Sequence, residues 1–195
     1  MDVKSKLRTW FDQTDTELVQ ACTEGDREAF RALFERHKDK VYSIALRYSG
    51  DDSEAMDIAQ DTFVKLFSAI SGFRGQSTFE TWLYRMVANS CLDRKRRSWR
   101  ALPLLDEVAA GLRAPERSAM EELLRTELRG KVQEAVAALS PDLRIVVILR
   151  YTEGLSYEQM AEVLGCPGGT VASRLNRAHA ILERRLKPMA GGRYA

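Results

Sequence analysis

Three groups of side chains in this 195-residue sequence have types and spacings that could do chemistry. The first is the run FRGQSTFETWLYRMVANSCLDRKRR, residues 73–97, in which rings and cations alternate: Phe73, Arg74, Phe79, Trp82, Tyr84 and Arg85, then Arg94, Lys95, Arg96 and Arg97. Rings stack on bases and guanidinium groups neutralise phosphates, so such a run could form a surface that touches nucleic acid. A buried aromatic stripe with a solvated basic end is the plainer reading. The second group is Asp57, Gln60 and Asp61. Carboxylates four apart on one helix repel by about 0.2–0.5 kcal/mol. The helix dipole relieves this at Asp57, near the helix start, but not a turn further on; Lys65 is expected to offset part of the rest. A face that keeps this pair is either a solvated acidic surface or a dock for a basic protein. Acid–base catalysis or metal ligation needs inward carboxylates in a pocket, and these face outward.

The third group sits in LSYEQMAEVLGCPGGTVASRLNRAHAIL, residues 155–182. Ser156 is placed to cap a helix with the stripe Met160, Ala161 and Leu164, and Tyr157 one turn back. Gly165 suits the left-handed turn that ends it. Thr170 is read as the cap of a second helix with Val171, Leu175, Ala178 and Leu182 inward. This is a helix-turn-helix pattern. Its outward face carries Ser173, Arg174, Asn176 and Arg177, side chains that suit major-groove base edges and flanking phosphates. A helical hairpin with a solvated basic face is the alternative.

Other chemistries find no support. Two histidines and three distant cysteines (Cys22, Cys91, Cys166) offer no zinc spacing, no metal site and no disulfide framework, and fit a reducing compartment. No cofactor is expected. No apolar run has the length of a signal peptide or a membrane span, so a cytoplasmic chain with no membrane insertion is expected. Net charge is only +2, but it is segregated: acids gather over 51–61, cations over 92–100 and again over 168–187. Such segregation suggests more than one kind of partner.

The elements that must position these groups read as helices throughout. Apolar residues step by three and four at Phe30, Leu33, Phe34, His37, Val41, Ile44, Ala45 and Tyr48. The same step recurs at Met56, Ala59, Phe63, Leu66, Phe67 and Ile70, and at Phe79, Trp82, Leu83, Met86 and Val87. A short helix is expected over Thr16–Glu24 with Asp15 as its cap. Residues 71–78 read as a loop loosened by Gly72 and Gly75. Pro103, Gly111 and Pro115 punctuate a linker. Helical signals resume near Ser118, and Ser140 followed by Pro141 reads as a cap with proline at the first helical position. The expected fold is all-α, two small helical domains over 1–98 and 118–187, joined by a linker, 99–117, with a tail over 188–195.

Together, DIAQDTFVKLF (57–67), the run over 73–97 and GLSYEQMAEVLGCPGGTVASRLNRA (154–178) resemble an extracytoplasmic-function (ECF) sigma factor of bacterial RNA polymerase. The resemblance covers roughly residues 15–187. It implies a sigma-2 domain that docks on the beta-prime clamp helices of core RNA polymerase through Asp57, Gln60, Asp61 and Phe63, although the periodicity places Phe63 in the core. It implies a loop and helix that hold the melted minus-10 element, with Phe73, Arg74, Gly75, Ser77, Tyr84, Arg85, Asn89, Arg94, Arg96 and Arg97 at that DNA. It implies a sigma-4 domain on the beta flap that reads the minus-35 element with Thr170, Ser173, Arg174, Asn176 and Arg177. Ala172 stands where many of the family carry a basic residue, which implies one fewer cationic contact. An anti-sigma factor is implied as a further partner, and no catalysis. The competing expectation is a two-domain helix-turn-helix transcriptional regulator that binds duplex DNA without sigma activity. That reading leaves the acidic face and the aromatic loop without a role.

Overall fold

The computed structural model describes residues 12–99 and 119–190, with side chains described over 12–94 and 128–187. Those residues form eight α-helices and one 3-10 turn. The first unit comprises α1 (Asp15–Thr23), α2 (Arg27–Ser49), α3 (Asp52–Ala69), the 3-10 turn Ile70–Gly72 and α4 (Phe79–Trp99). The second comprises α5 (Ala119–Ala137), α6 (Pro141–Tyr151), α7 (Tyr157–Leu164) and α8 (Gly168–Ala190). Past its first residue, the expected linker lies outside the described residues, as does the tail beyond residue 190.

Side-chain caps explain where the first helices begin. Thr14, not Asp15, caps α1: its hydroxyl accepts from the Glu17 amide while the Glu17 carboxylate accepts from the Thr14 amide at 2.7 Å, a reciprocal pair that satisfies two orphan donors. Asp15 is thereby freed to reach α2, where it accepts from Arg36 at 2.7 Å and meets His37 Nε2 at 2.9 Å. Asp26 caps α2, and Gly50, at φ +76°, ends it in a conformation only glycine adopts cheaply. Asp51 caps α3.

The α3 stripe is rotated from the expected one. Ala55, Ile58, Ala59, Thr62, Phe63 and Leu66 are buried, whereas Met56 and Phe67 are 57% and 51% exposed. The reason is that α3 is gripped on two sides, by α2 and by α4. Its buried face therefore centres on Ile58 and Thr62, and the Thr62 hydroxyl is satisfied by the Ile58 carbonyl at 2.7 Å. In α4, Phe79, Leu83 and Val87 are buried as the spacing predicts, and Trp82 and Met86 are half-buried.

In the second unit the Ser140 side chain makes no capping bond, and Pro141 alone marks the start of α6. Every residue from Leu143 to Leu149 is buried, because α8 covers one side of α6 while α2 and α4 cover another. A reciprocal Ser156–Gln159 cap starts α7 and Gly165, at φ +60°, ends it. Its buried residues are Met160 and Val163, with Ala161 and Leu164 half-buried and Tyr157 exposed, so the packed face lies one position away from the expected stripe. Helix α8 begins at Gly168, which places Thr170 inside the first turn rather than at the cap; its amide donates to the Pro167 carbonyl at 2.8 Å. Val171, Leu175 and Ala178 are buried as expected, and Leu182 is half-buried. The buried side chains of the two units form one contiguous cluster.

Candidate nucleic-acid and protein interfaces

The loop from Phe73 to Thr78 is held open by its ends. The 3-10 turn at Ile70–Gly72 closes on the Phe73 amide, and the Thr78 hydroxyl accepts from the Thr81 amide at 3.1 Å, which starts α4. Gly75, at φ +66°, allows the reversal between them. Phe73 and Trp82 meet at a tilt of 37° with centroids 4.8 Å apart. These rings, with Arg74, Ser77, Arg85 and Glu162, border a cavity of about 460 Å³. Trp82 is thus a wall of this cavity, not pure core. Two rings, two guanidinium groups and hydroxyl and amide groups around a space of that size can stack on and hydrogen-bond a planar base.

Two candidate DNA residues are not on a free face. Tyr84 is 4% exposed, and its hydroxyl reaches Glu153 Oε2 at 2.9 Å and Glu80 Oε1 at 3.2 Å. Burial, then the Glu153 charge, pushes its phenol above the ordinary value. The spacing put Tyr84 off the apolar stripe; the structure corrects this, because the second unit covers that side of α4 and Tyr84 joins the buried core. Arg85 Nη2 donates to the carbonyl of Glu162, in the last turn of α7, at 3.0 Å. Asn89 is exposed. Arg94 is paired with Asp57, so one candidate DNA contact and one candidate polymerase contact neutralise each other. The side chains of Lys95, Arg96 and Arg97 lie outside the described residues.

The acidic face borders an apolar groove. Phe30 and Phe34 of α2 and Met56, Phe63, Val64 and Phe67 of α3 line a cavity of about 730 Å³, with Gln60 at its edge. Phe67 meets Phe30 edge-on at 4.9 Å, and Phe63 meets Phe34 at 4.7 Å. Phe63 is 7% exposed: it is core, as its spacing indicates, with only its edge in the groove. Asp57, Gln60 and Asp61 are exposed beside it. Lys65 does not offset Asp61; it turns to Ser90 at 3.2 Å and Asp93 at 3.5 Å on α4. Asp61 makes no ion pair among the described residues. Met56, Val64 and Phe67 are functional candidates that the sequence reading missed. The available signal was Val64, an apolar residue off the stripe.

On α8, Ser173, Asn176 and Arg177 are exposed and Thr170 and Arg174 half-buried. The Ser173 hydroxyl donates to the Thr170 carbonyl at 3.0 Å, and Arg177 Nε donates to the Ser173 carbonyl at 3.3 Å, so the guanidinium lies back along its own helix. Arg174 lies 3.7 Å from Asp142 at the start of α6. These residues share one surface, next to the positive end of α8, and can meet a duplex. Among the described residues no three His, Cys, Asp or Glu side chains gather as a metal site, and no helix is long and apolar enough to cross a membrane.

The second unit also bolts to the first. Arg144, 5% exposed, donates to the Tyr48 carbonyl at the end of α2 at 2.6 Å, to the Leu139 carbonyl at 3.2 Å and to the Ala137 carbonyl. Its burial lowers its proton affinity. A guanidinium can stay charged there because it sits at the carbonyl ends of α2 and α5, where helix dipoles favour a cation.

Comparison with known proteins follows this division. Residues 33–101 match the Sigma-70 region 2 family and residues 129–182 match Sigma-70, region 4. The chain is 35% identical to the RNA polymerase sigma-H factor of Pseudomonas aeruginosa, with 91% of this chain and 96% of that protein covered. It is 38% identical to the ECF RNA polymerase sigma-E factor of Escherichia coli strain K12, over 90% of this chain and 96% of that protein. Among solved structures, CnrH in complex with the cytosolic domain of CnrY aligns at TM-score 0.64 and 26% identity, covering 89% of this chain and 97% of that one. The sigma factor RpoE in complex with the anti-sigma factor NepR, from Bartonella quintana, aligns at TM-score 0.66 and 25% identity, covering 81% and 96%. A region 2 match followed by a region 4 match, in one chain that is related over nine tenths of its length to proteins of this kind, settles the family: the chain belongs to the ECF sigma factors of bacterial RNA polymerase.

Proposed function

We propose that this chain binds core RNA polymerase, reads minus-35 and minus-10 promoter elements and assists melting at initiation as an alternative sigma factor. The observation that carries the reading is one chain with three separate faces: an apolar groove on α2 and α3 with exposed carboxylates on the same helix, a ring-walled loop cavity and an exposed helix face on α8. Each suits a different partner. The groove on α2 and α3, with Asp57, Gln60 and Asp61 at its rim, takes the clamp helices of the beta-prime subunit; apolar area supplies affinity and the acids supply orientation. The cavity bordered by Phe73, Arg74, Ser77 and Trp82, with Gly75 freeing the loop backbone, takes a base of the nontemplate minus-10 strand. Tyr84, Arg85, Asn89 and the cations from Arg94 to Arg97 serve its neighbours and phosphates. Unstacking a base costs a few kcal/mol, which stacking and phosphate contacts offset. Thr170, Ser173, Arg174, Asn176 and Arg177 meet the minus-35 duplex, and sigma-4 sits on the beta flap.

On this reading the chain makes and breaks no bond itself and acts in the cytoplasm. Residues 1–98 form the sigma-2 domain, 118–187 the sigma-4 domain, and 99–117 the linker between them. Both solved relatives above are complexes with CnrY or NepR, which supports a cognate anti-sigma factor for this chain too. Run-off transcription with reconstituted holoenzyme on a randomised promoter library tests the whole reading. Enrichment of two spaced motifs is expected; core enzyme that gains no promoter-specific initiation from the chain refutes it.

A further inference from the structure

One ion pair joins two of the proposed interfaces. Asp57 on α3 is paired with Arg94 on α4, across the seam where these helices pack. The two side chains are 50% and 33% exposed, so a partner can reach both. Lys65, two turns along α3, reaches Ser90 at 3.2 Å and Asp93 at 3.5 Å instead, so Arg94 is the cation that holds Asp57. Asp61, one turn past Asp57, makes no ion pair among the described residues. The two acids therefore differ. Asp61 offers a docking protein a free carboxylate, whereas Asp57 offers a neutral pair. Arg94 offers a phosphate the same neutral pair. Its remaining donors can still reach a phosphate oxygen, but the attraction between net charges is lost while the carboxylate stays beside it. Each ligand must part the pair to gain its full charge contact.

We infer that the Asp57–Arg94 pair is an exchange point that couples polymerase docking to binding of the minus-10 strand. A basic polymerase surface takes Asp57 and releases Arg94; the strand takes Arg94 and releases Asp57. The pair is broken once, by whichever ligand arrives first, and the second ligand finds its side chain unpaired. Binding is therefore cooperative and reciprocal. The factor by which polymerase raises affinity for the strand is the factor by which the strand raises affinity for polymerase. Both ends can turn by side-chain rotation, with α3 and α4 left in place. A solvent-exposed pair is worth up to about fivefold in an equilibrium constant, and that bounds the coupling. The identity of the two ligands rests on the function proposed above; the ion pair does not.

Two measurements on the full chain test the coupling, with circular dichroism to check that every variant folds. The first is competition for core RNA polymerase against a labelled wild-type chain. Arg94→Gln changes no proposed polymerase contact, yet it should tighten core binding about two- to fivefold, because it leaves Asp57 unpaired. In the Asp57→Asn background the same substitution should do nothing. Absence of the gain overturns the inference. So does a gain that survives in that background, which would be only the loss of a positive charge facing a basic partner. The second measurement is anisotropy with a fluorescein-labelled single-stranded 20-mer of mixed sequence. Asp57→Asn and Asp61→Asn each remove one charge from the same face of α3, but only the first releases Arg94. Asp57→Asn should bind the 20-mer about two- to fivefold more tightly than Asp61→Asn, and adding Arg94→Gln to both should erase the difference. A 20-mer bound no better by Asp57→Asn, or an advantage that outlasts Arg94→Gln, overturns the inference. A wild-type chain that binds no core RNA polymerase refutes the sigma-factor reading and the coupling with it; core binding with additive substitutions refutes the coupling alone.

Discussion

Replacing Asp61 by arginine separates the fold from the proposed polymerase contact, because the two should respond differently. Asp61 is exposed on α3 and makes no ion pair among the described residues. Towards Asp57, one turn back, the change turns a like-charge pair into an opposite one, a gain of about 0.4–1 kcal/mol from two steps of 0.2–0.5. Asp57 already holds Arg94, which reduces that gain. Towards Lys65, one turn ahead, it adds a like-charge pair, softened because Lys65 leans towards Asp93 at 3.5 Å. The terms nearly cancel, so stability should move by less than about 0.5 kcal/mol and the melting temperature by about 2 °C or less. Binding has no such cancellation. Losing a rim ion pair costs about 0.2–1 kcal/mol, and placing a cation against a basic partner adds a similar penalty. About 0.4–2 kcal/mol, or roughly 2–30-fold in Kd, is expected. Competition for core RNA polymerase against a labelled wild-type chain measures it, with thermal melts alongside. An unchanged Kd with an unchanged melt would show that the acidic face is only solvated surface, and the groove assignment would fall with it.

Arg177→Ala should weaken binding to the selected minus-35 duplex by about 1–3 kcal/mol and relax one base position; a loss equal across sequences would mark a phosphate contact instead. Leu33→Ala, at a position with no exposed area, should cost about 2–5 kcal/mol in urea unfolding, and a loss below about 1 would contradict the α2 packing. Burial pushes the Asp15 carboxyl up, but hydrogen bonds and charge from His37 and Arg36 outweigh it and hold the group below its ordinary value of 3.8. A lowered carboxyl stabilises the fold above that value and loses its contribution as pH falls through it. The stability gap between wild type and Asp15→Asn should therefore shrink as pH falls from about 5 to 3; a gap constant with pH would remove the charge from the explanation. Burial pushes the Cys22 and Cys91 thiols up to about 11 and about 12, whereas Cys166 is half-exposed in the turn after α7. A disulfide reagent on the native chain should modify Cys166 first and Cys91 only on unfolding, because only the thiolate attacks.

Much of this was legible from residue order. Gly165 ends a helix where its backbone freedom indicated, Ser156 caps α7, and Val171, Leu175 and Ala178 form the buried edge of α8. These are local effects, set within one turn of helix. The misread stripe of α3 has a different cause. Met56 and Phe67 were placed inward because they extend a three-and-four pattern, but which part of a wide apolar face is covered depends on how many helices lie against it. Two of them centre the covered face on Ile58 and Thr62 and leave an open groove.

The sequence alone determined the helices, the division into two units, the helix-turn-helix and the family, since periodicity, caps and motif order are properties of neighbouring residues. Only the tertiary structure decided what Tyr84, Arg85 and Arg144 touch. Their partners, Glu153, the Glu162 carbonyl and the Tyr48 carbonyl, lie 69, 77 and 96 residues away in the chain. No local pattern encodes a hydrogen bond across such separations. It exists because α6 and α7 pack on α2 and α4, and that packing buries a tyrosine that spacing alone had left off the apolar stripe.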